Sequence, residues 1–309
     1  MTDETLMNRP DRVALGVTLM LLTVFMMSIQ EALFKLHSDS FSLWQIFTLR
    51  GLLSVPLLIA IALLAKRRNL WRQAFSKWPL MRSVYMTLMF IAMYAALPFL
   101  SLSTVAAGIY TAPVFVTILS AAVIGEPVGK TGWLAIATGF IGVLVILQPG
   151  SDSFSLWAVL PVLGGFLYAL SSITTRARCQ GISLPAMALS LNLVLLMTGI
   201  LFSLIIFLWQ PQAEISATNP SLLSHWRQVE TSDWQLIILL AILAVAIGMG
   251  LAGAYQSAPP ATIATFDYSY LVFMAVWDFL FFAIKPNLTT ILGIVLIVTA
   301  GLLVTRRRA

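Results

Sequence analysis

The chain has 309 residues, of which 60% are hydrophobic and only 10% are charged, and its mean hydropathy is +0.94. Water-soluble domains carry about 25% charged residues, so this composition excludes a soluble enzyme or binding module. The solvent of this protein is a lipid bilayer. The formal charge of +6 must then be interpreted through membrane topology first.

Ten apolar stretches follow one another along the chain, and each is long enough to cross a bilayer as a helix of about 20 residues. We predict crossings at 13–34, 43–65, 80–98, 103–124, 132–148, 154–175, 185–209, 234–255, 261–283 and 288–305. Only five charged residues fall inside these stretches: Glu31, Arg50, Arg82, Asp267 and Asp278. The predicted fold class is therefore an all-α integral membrane protein with ten transmembrane helices.

Basic residues indicate the orientation, since short cytoplasmic loops retain Lys and Arg. Most Lys and Arg residues lie at the end of the helices that carries both termini, whereas Lys35, Arg227 and Lys285 lie at the other end. We predict that the tails 1–12 and 306–309 are cytoplasmic and that the protein lies in a bacterial inner membrane. This topology accounts for the net charge, and we expect no nucleic-acid partner.

The longest external connection, 210–233, carries Leu222, Trp226 and Val229 at helical spacing. This pattern is typical of a short helix lying on the membrane surface, and a plain solvated loop is the alternative.

An internal repeat relates the two halves of the chain. A shift of 159 residues places Pro127 on Pro286, Thr131 on Thr290, Gly142 on Gly301, Leu144 on Leu303 and Val145 on Val304. We assign the repeats to 13–148 and 154–305. Each holds five helices, an odd number, so the second copy enters the membrane from the opposite side. Two inverted five-helix repeats can alternate between two similar packings, one open to each face.

Two segments of the first repeat resemble a known family. The run Ala112-Pro113-Val114-Phe115, followed by Gly125-Glu126-Pro127 and by glycines 139 and 142, resembles the repeat of EamA-type transporters in the drug/metabolite transporter superfamily. The resemblance implies ten helices, cytoplasmic termini and movement of small metabolites or drugs, often outward. The second repeat departs from the pattern, with Val272 in the proline position and Lys285 in the glutamate position.

Several motif residues have structural as well as functional interpretations. Pro113 lies in mid-stretch, where a proline removes one hydrogen bond and kinks a helix, either for packing or as a gate. Glu126 is expected to cap and turn the chain at the cytoplasmic end of its helix. Gly139 and Gly142 are expected to allow close contact between helices.

The ionisable residues inside the stretches are candidates for a functional site, since each costs on the order of 3 kcal/mol in lipid. Arg82 lies close to the cytoplasmic boundary, where we expect its stem to reach headgroup water. Glu31 and Arg50 both lie in the outer third of the membrane. They are expected either to pair across neighbouring helices or to form a gate or a substrate carboxylate site.

Asp267 is the principal candidate, because it lies too deep in the ninth stretch to reach headgroup water. One helical face carries Asp267, Tyr270, Met274 and Asp278, with Trp277 on its flank. The sixth stretch brings Tyr168, Ser171 and Ser172 to a similar depth on one face, although serines in membrane helices also bond to their own backbone. Further candidates of undetermined facing are Tyr85, Tyr94, Tyr110, Asn192 and Gln256.

These residues predict a secondary transporter with a midplane site for a small organic substrate. Carboxylates with aromatic faces suit an amine, a zwitterion or a planar aromatic such as a flavin or an indole compound. Protons could couple through Asp267 or Glu31. We expect no cofactor, no metal and no enzymatic activity, and a homodimer stays open. The alternatives are a polytopic enzyme or a channel, for which no nucleophile, metal or pore motif is present.

Overall fold

A computed structural model describes residues 12–36, 41–66, 69–96, 98–100, 102–147, 156–282 and 286–306. The helices are α1 (Val13–Leu36), α2 (Leu43–Leu64), α3 (Leu70–Ala74), α4 (Lys77–Ala96), α5 (Leu102–Ile109), α6 (Ala112–Leu119), α7 (Lys130–Leu147), α8 (Val159–Arg178), α9 (Leu184–Trp209), α10 (Ala213–Thr218), α11 (Pro220–Leu223), α12 (Thr231–Ser257), α13 (Pro260–Asp267), α14 (Ser269–Phe282) and α15 (Leu288–Arg306). A π-helical turn, Ser120–Ile124, continues α6, and a 3₁₀ turn, Leu156–Ala158, precedes α8.

Eight helical segments of the described chain are long and apolar enough to span a membrane, and α7 and α15 are shorter apolar helices. The protein is therefore a multi-pass membrane protein built from helices. The predicted stretches match these segments to within a few residues, and the largest difference is at α8, which spans Val159–Arg178 where 154–175 was predicted. Large apolar side chains such as Leu204, Phe207 and Leu208 are exposed, as expected where lipid is the solvent.

Local signals explain where the helices begin and end. The Ser42 side chain caps α2 by accepting from the backbone N–H of Gln45 at 3.3 Å. Glu230 and Asp233 form a reciprocal capping box at the start of α12. Gly125 ends the π-helical turn with φ of 75°, a left-handed conformation that glycine adopts without strain.

Two of the candidate spans are broken near their middle, and the breaks correspond. The span of α5 and α6 breaks at Tyr110 and Thr111, and the span of α13 and α14 breaks at Tyr268. The leading segments α5 and α13 have eight residues each. Pro113 lies in the first turn of α6, just after the first break. Its missing N–H is the one that would pair with the carbonyl of Ile109, where α5 ends, so the break lies where a proline kink is expected. Its role as a gate stays a prediction.

The helices of the two sequence halves pack mainly against each other. Helix α1 contacts α12, α13 and α14, and α8 contacts α4, α5 and α6 in the same pattern with the halves exchanged. Helix α2 packs along α9, and α7 along α15. Every first-half helix of the described chain therefore packs against at least one helix of the second half.

Glycines set the closest of these contacts. A Cβ on Gly139 would overlap the ring of Tyr268, and one on Gly142 would lie 2.9 Å from the carbonyl oxygen of Gly293. The prediction that both glycines allow close helix contact is confirmed. On the other side of the bundle, Gly165 of α8 lies against the backbone of the break between α5 and α6, where a Cβ would meet the Gly108 carbonyl at 3.1 Å.

The connection 210–233 differs from the predicted surface helix. The helices α10 and α11 end at Leu223, and residues 224–230 are not helical. The indole of Trp44 donates to the Leu222 carbonyl at 2.7 Å, and the Gln45 amide exchanges two hydrogen bonds with the backbone of Arg227. Hydrogen bonds to Trp44 and Gln45, in the first turn of α2, therefore hold this connection in place.

Candidate functional site

A cluster of one acid and three tyrosines, Asp267, Tyr168, Tyr255 and Tyr268, lies in the half of the bundle nearer the basic end, and we call it the inner cluster. Asp267 ends α13 at the break and is 8% exposed, and the three tyrosines are buried. The Tyr168, Tyr255 and Tyr268 hydroxyls have no hydrogen-bond partner among the described residues. Buried hydroxyls rarely stay unpaired, so this cluster has the character of a ligand site.

Contacts within the inner cluster join α8, α12 and α13, which all belong to the second half of the sequence. The Tyr168 hydroxyl lies near the Asp267 carboxylate and the Tyr255 hydroxyl, although neither contact has the length and angle of a hydrogen bond. The rings of Tyr168 and Tyr255 meet edge to face, with centroids 6.5 Å apart. Ser172 lies close to the Tyr255 hydroxyl but donates to its own backbone, at the Tyr168 carbonyl, at 3.0 Å. The predicted grouping of Tyr168 and Ser172 with Asp267 is therefore observed.

A second group, Glu31, Arg50, Tyr94 and Tyr270, lies in the other half of the bundle, and we call it the outer cluster. The Tyr270 hydroxyl lies beside the Glu31 carboxylate, and Tyr94 is near both Glu31 and Arg50. These neighbours come from four helices, so Glu31 faces the interior of the bundle. Its surface is exposed, whereas Asp267 is buried. The two acids therefore differ in how far the protein covers them.

Glu31 and Arg50 do not form the direct ion pair considered above. No contact within 4.0 Å joins them, and their helices are not principal neighbours, since α1 packs on α12 and α14 while α2 packs on α9. Instead, the Tyr94 side chain lies near both charges. The Arg50 guanidinium lies 5.9 Å from the ring centroid of Phe47 on its own helix.

Tyr110, at the break between α5 and α6, connects the two clusters. Its ring centroid is 6.4 Å from that of Tyr268 and 5.8 Å from that of Tyr270. Its hydroxyl is near enough to interact electrostatically with both Asp267 and Glu31. The two broken spans therefore meet at tilted tyrosine rings, with one carboxylate on each side.

The basic end is closed beneath the inner cluster. The Arg176 guanidinium contacts the Glu126 carboxylate at 2.8 Å and the Gln256 carbonyl at 3.5 Å. Gln256 in turn donates to the Cys179 carbonyl at 2.8 Å. Glu126 belongs to the first half and Arg176 to the second, so a polar network joins the halves at this end. Polar contacts therefore cover the basic end, whereas Glu31 in the other half is exposed.

The remaining candidates have structural contacts. Trp277 donates to the Ser28 hydroxyl at 2.8 Å and stacks on Phe281, which attaches α14 to α1. Asn192 accepts from Ser54 at 2.8 Å. Ser171 is buried, and its carbonyl accepts from Thr175. The side chain of Asp278 lies outside the described residues.

Arg82 contradicts the expectation that it reaches headgroup water. Its side chain is 1% exposed, and its Nε donates to the Thr175 hydroxyl at 2.8 Å. Depth along the sequence could not show this, because α8 and α9 cover the residue from the side. Sequence reasoning also missed Tyr255 and Tyr268. Tyr255 stands two residues before the end of α12, as Tyr94 does in α4, and this correspondence could have identified it.

The donor set does not suit a resident metal. Among the described residues no three His, Cys, Asp or Glu side chains approach one another closely enough to hold an ion. The arrangement offers carboxylates, phenols and a guanidinium around an aromatic passage. This chemistry binds an organic molecule that carries hydrogen-bond donors, acceptors and a planar face.

Comparison with known proteins agrees with this geometry. Residues 14–148 match the EamA-like transporter family. The chain is 30% identical to a riboflavin transporter of Rhizobium johnstonii over 99% of this chain and 96% of that protein. It is 28% identical to a riboflavin transporter of Vibrio cholerae, over 63% of this chain and 60% of that protein.

Two further likenesses cover nearly the whole chain. A pseudopaline exporter of Pseudomonas aeruginosa is 25% identical over 95% of this chain and 96% of its own length. A crystal structure superposes with a TM-score of 0.73 at 16% identity, over 96% of this chain and 97% of that chain, so the two share a fold.

Proposed function

The chain belongs to the EamA-like transporter family of the drug/metabolite transporter superfamily, and from this premise we propose that it is a gradient-driven carrier of a small organic metabolite. The substrate binds between the two clusters, and the carrier alternates between a state open to one face and a state open to the other. The observation that carries the proposal is the meeting of the two broken spans at Tyr110 and Tyr268, with a carboxylate on each side.

Ten crossings arranged as two inverted five-helix repeats are part of this proposal. The exchanged packing of α1 and α8 supports it, as do the two breaks after eight-residue segments. Discontinuous helices at corresponding positions of two repeats are typical of carrier binding sites. In the proposed orientation both termini are cytoplasmic in a bacterial inner membrane, so Glu31 lies in the half of the bundle nearer the external face.

We propose a planar heterocycle as the substrate, and flavins are the leading class. Two observations support this choice: relatives named as riboflavin transporters, and tyrosine rings at the centre of the passage. Aromatic rings bind planar faces by offset or edge contacts, and carboxylates accept from hydroxyl and imide donors. A polar zwitterion is the second candidate, because the outer cluster holds both Glu31 and Arg50.

Asp267 is proposed as the residue that couples transport to a proton gradient. The carboxylate is buried, and within the described chain no cation forms an ion pair with it. Ionisation at this depth is costly without a partner, so a proton or a donor group on the substrate is expected to neutralise it. Glu31 is the second candidate for the coupling acid.

Riboflavin transport by purified protein in liposomes tests the proposal. We expect saturable uptake of riboflavin that exceeds uptake into empty liposomes and responds to an imposed proton gradient. A ligand-dependent increase in thermal stability would provide an independent measure of binding. Ohmic single-channel current would instead favour a pore, and absence of binding to flavins but binding to zwitterionic amines would replace the substrate class while leaving the carrier mechanism.

A matched variant separates binding from folding. Tyr110→Phe keeps the ring and removes the hydroxyl that lies near both acids. Tyr110→Leu removes the ring as well. If planar contact carries recognition, Tyr110→Phe should retain most of the affinity for riboflavin and Tyr110→Leu should lose about tenfold. Equal affinities in both variants would contradict an aromatic site.

A further inference from the structure

Arg82 is a buried cation that the proposed transport site has not used. It lies on α4 in the basic half of the bundle and is 1% exposed. Its Nε donates to the Thr175 hydroxyl, while its Nη1 has no hydrogen-bond partner within the described chain. No carboxylate of the described residues forms an ion pair with it.

A purely structural role does not explain this arrangement. A single neutral hydroxyl compensates poorly for the loss of water around a guanidinium. An apolar side chain would join α4 to α8 without that penalty. A charge that stays unpaired in one state is expected to gain a partner in another state or from a ligand.

The surroundings of Arg82 repeat those of Arg50. In the outer cluster, Tyr94 lies near both the Glu31 carboxylate and the Arg50 guanidinium. On the inner side, Tyr168 lies near the Asp267 carboxylate and also near Arg82. Each half of the passage therefore presents an acid, a tyrosine and an arginine. The acid of the outer set is exposed in this structure, whereas the acid and the arginine of the inner set are buried.

The face of α8 that connects Asp267 with Arg82 is polar and buried. Tyr168, Ser171 or Ser172, and Thr175 follow one another at intervals of three or four residues, so they form a stripe on one side of the helix. On α4, Ser83 extends this surface and donates to the Ser190 hydroxyl of α9 at 3.1 Å. Hydroxyl groups along a buried helical face can be hydrated without loss when the face opens.

We propose that Arg82 binds an electron-rich oxygen group of the transported molecule, a carboxylate or a carbonyl, when the basic end opens. It is the counterpart of Arg50, so the passage has two binding positions that the substrate occupies in turn. A guanidinium is suited to this role because its rigid fork binds two oxygen lone pairs at once. The inference rests on the proposed carrier mechanism but not on the choice of a flavin as substrate.

Thiol chemistry at Thr175 tests the proposal without a known substrate. In Thr175→Cys protein, reconstituted in liposomes, the new thiol would lie next to Arg82. The native Cys179 is a weak competitor, since burial raises the pKa of its thiol to about 12, and Cys179→Ser removes it completely. Lys130→Cys, on an exposed residue at the basic end, identifies vesicles with that end outside.

Two small thiol reagents of opposite charge give the readout: sulfonatoethyl methanethiosulfonate and trimethylammonioethyl methanethiosulfonate. We expect Thr175→Cys to react from the basic end. The ratio of anionic to cationic rates should fall about tenfold when Arg82→Gln is added, and should be retained with Arg82→Lys. Arg178→Gln removes an exposed arginine of α8, the helix that carries Thr175, and is expected to leave the rate ratio unchanged.

Stability separates a binding role from a structural one. We expect Arg82→Gln to leave the unfolding temperature of the ligand-free protein unchanged or to raise it, because an uncompensated buried charge is removed. A structural role predicts a lower unfolding temperature. A thiol at position 175 that reacts from neither end, a rate ratio independent of Arg82, or destabilisation by Arg82→Gln would each overturn the proposal.

Discussion

The two halves of the central passage carry similar residues in different environments. In the outer cluster Glu31 is exposed, and Tyr94 lies near both Glu31 and Arg50. The inner cluster buries Asp267 among tyrosine hydroxyls that have no partner within the described chain. Similar groups are thus exposed on one side and buried on the other. Keeping the Asp267 carboxylate ionised therefore costs more free energy than keeping Glu31 ionised. We expect a substrate or a proton that neutralises Asp267 to have the larger effect on transport.

The closure itself has a modest basis. The polar contacts that join the two sequence halves at the basic end include a hydrogen bond from Ser183 to Gln73 and the ion pair of Glu126 with Arg176. Both side chains of the ion pair are partly exposed, at 23% and 15%, so the pair contributes little beyond about 1 kcal/mol. A carrier needs such weak closure, because the two states must differ by only a few kcal/mol.

Removing the charge of each acid is the strongest test of this difference. Asp267→Asn should lower transport about a hundredfold or more, because the buried site loses the charge that its substrate or proton neutralises. Glu31→Gln should lower transport only about tenfold, since water replaces part of the lost interaction. Transport of riboflavin into proteoliposomes measures both. Equal losses would show that the two clusters have equivalent roles.

A glycine at the inner side supports the buried tyrosines. Gly139→Ala would place a methyl group within the ring of Tyr268, so we expect destabilisation of about 1–3 kcal/mol and weaker ligand binding. Gly132→Ala is a matched control on the same helix, where the new Cβ meets only the end of the Val128 side chain. Thermal unfolding in detergent measures both variants. A fully stable Gly139→Ala protein would contradict the packing described here.

An outer contact provides a smaller test. Trp277→Phe removes the 2.8 Å hydrogen bond to Ser28 and should cost about 0.5–1.5 kcal/mol of stability. The same variant should leave the affinity for substrate unchanged, because Trp277 attaches α14 to α1. A change in the KM of transport without a change in unfolding temperature would instead indicate that Trp277 contacts the substrate.

The ion pair at the basic end should give the smallest effect. Glu126→Gln weakens the contact with Arg176, and we expect Thr175→Cys to react from that end up to about fivefold faster. Lys130→Cys, outside the network, should react at the same rate with or without Glu126→Gln. Slower reaction at Thr175 in the variant would show that the pair favours the open state instead.

The sequence predicts much of this fold because the bilayer imposes simple rules. A minimum length of apolar helix locates the spans to within a few residues, and glycines at helix contacts such as Gly139 follow from the same periodicity. Pro113 indicated a kink, but hydropathy alone shows the stretch as continuous. Only the structure shows that the helix is interrupted at Tyr110 and Thr111.

The site was predictable only in part. Depth identified Asp267 and the face of Tyr168, since both follow from the rise of one helix. The facing of Tyr255 and the burial of Arg82 depend on lateral neighbours, which a single sequence does not specify. An ion pair of Glu31 with Arg50 was one of two predicted alternatives, and it relied on α1 and α2 being neighbours, whereas each packs principally on other helices. The other alternative, a gate or a substrate carboxylate site, stays a prediction.

The exchanged packing of the two halves has a consequence for how this protein is made. While the ribosome is still translating the second half, α1 and α4 are already in the membrane without α12, α14 and α8, the helices against which they finally pack. The nascent first half must therefore remain a loosely associated set of inserted segments until synthesis is nearly complete. We expect assembly to be a late event, and the quality control of this protein to depend on the arrival of its last helices.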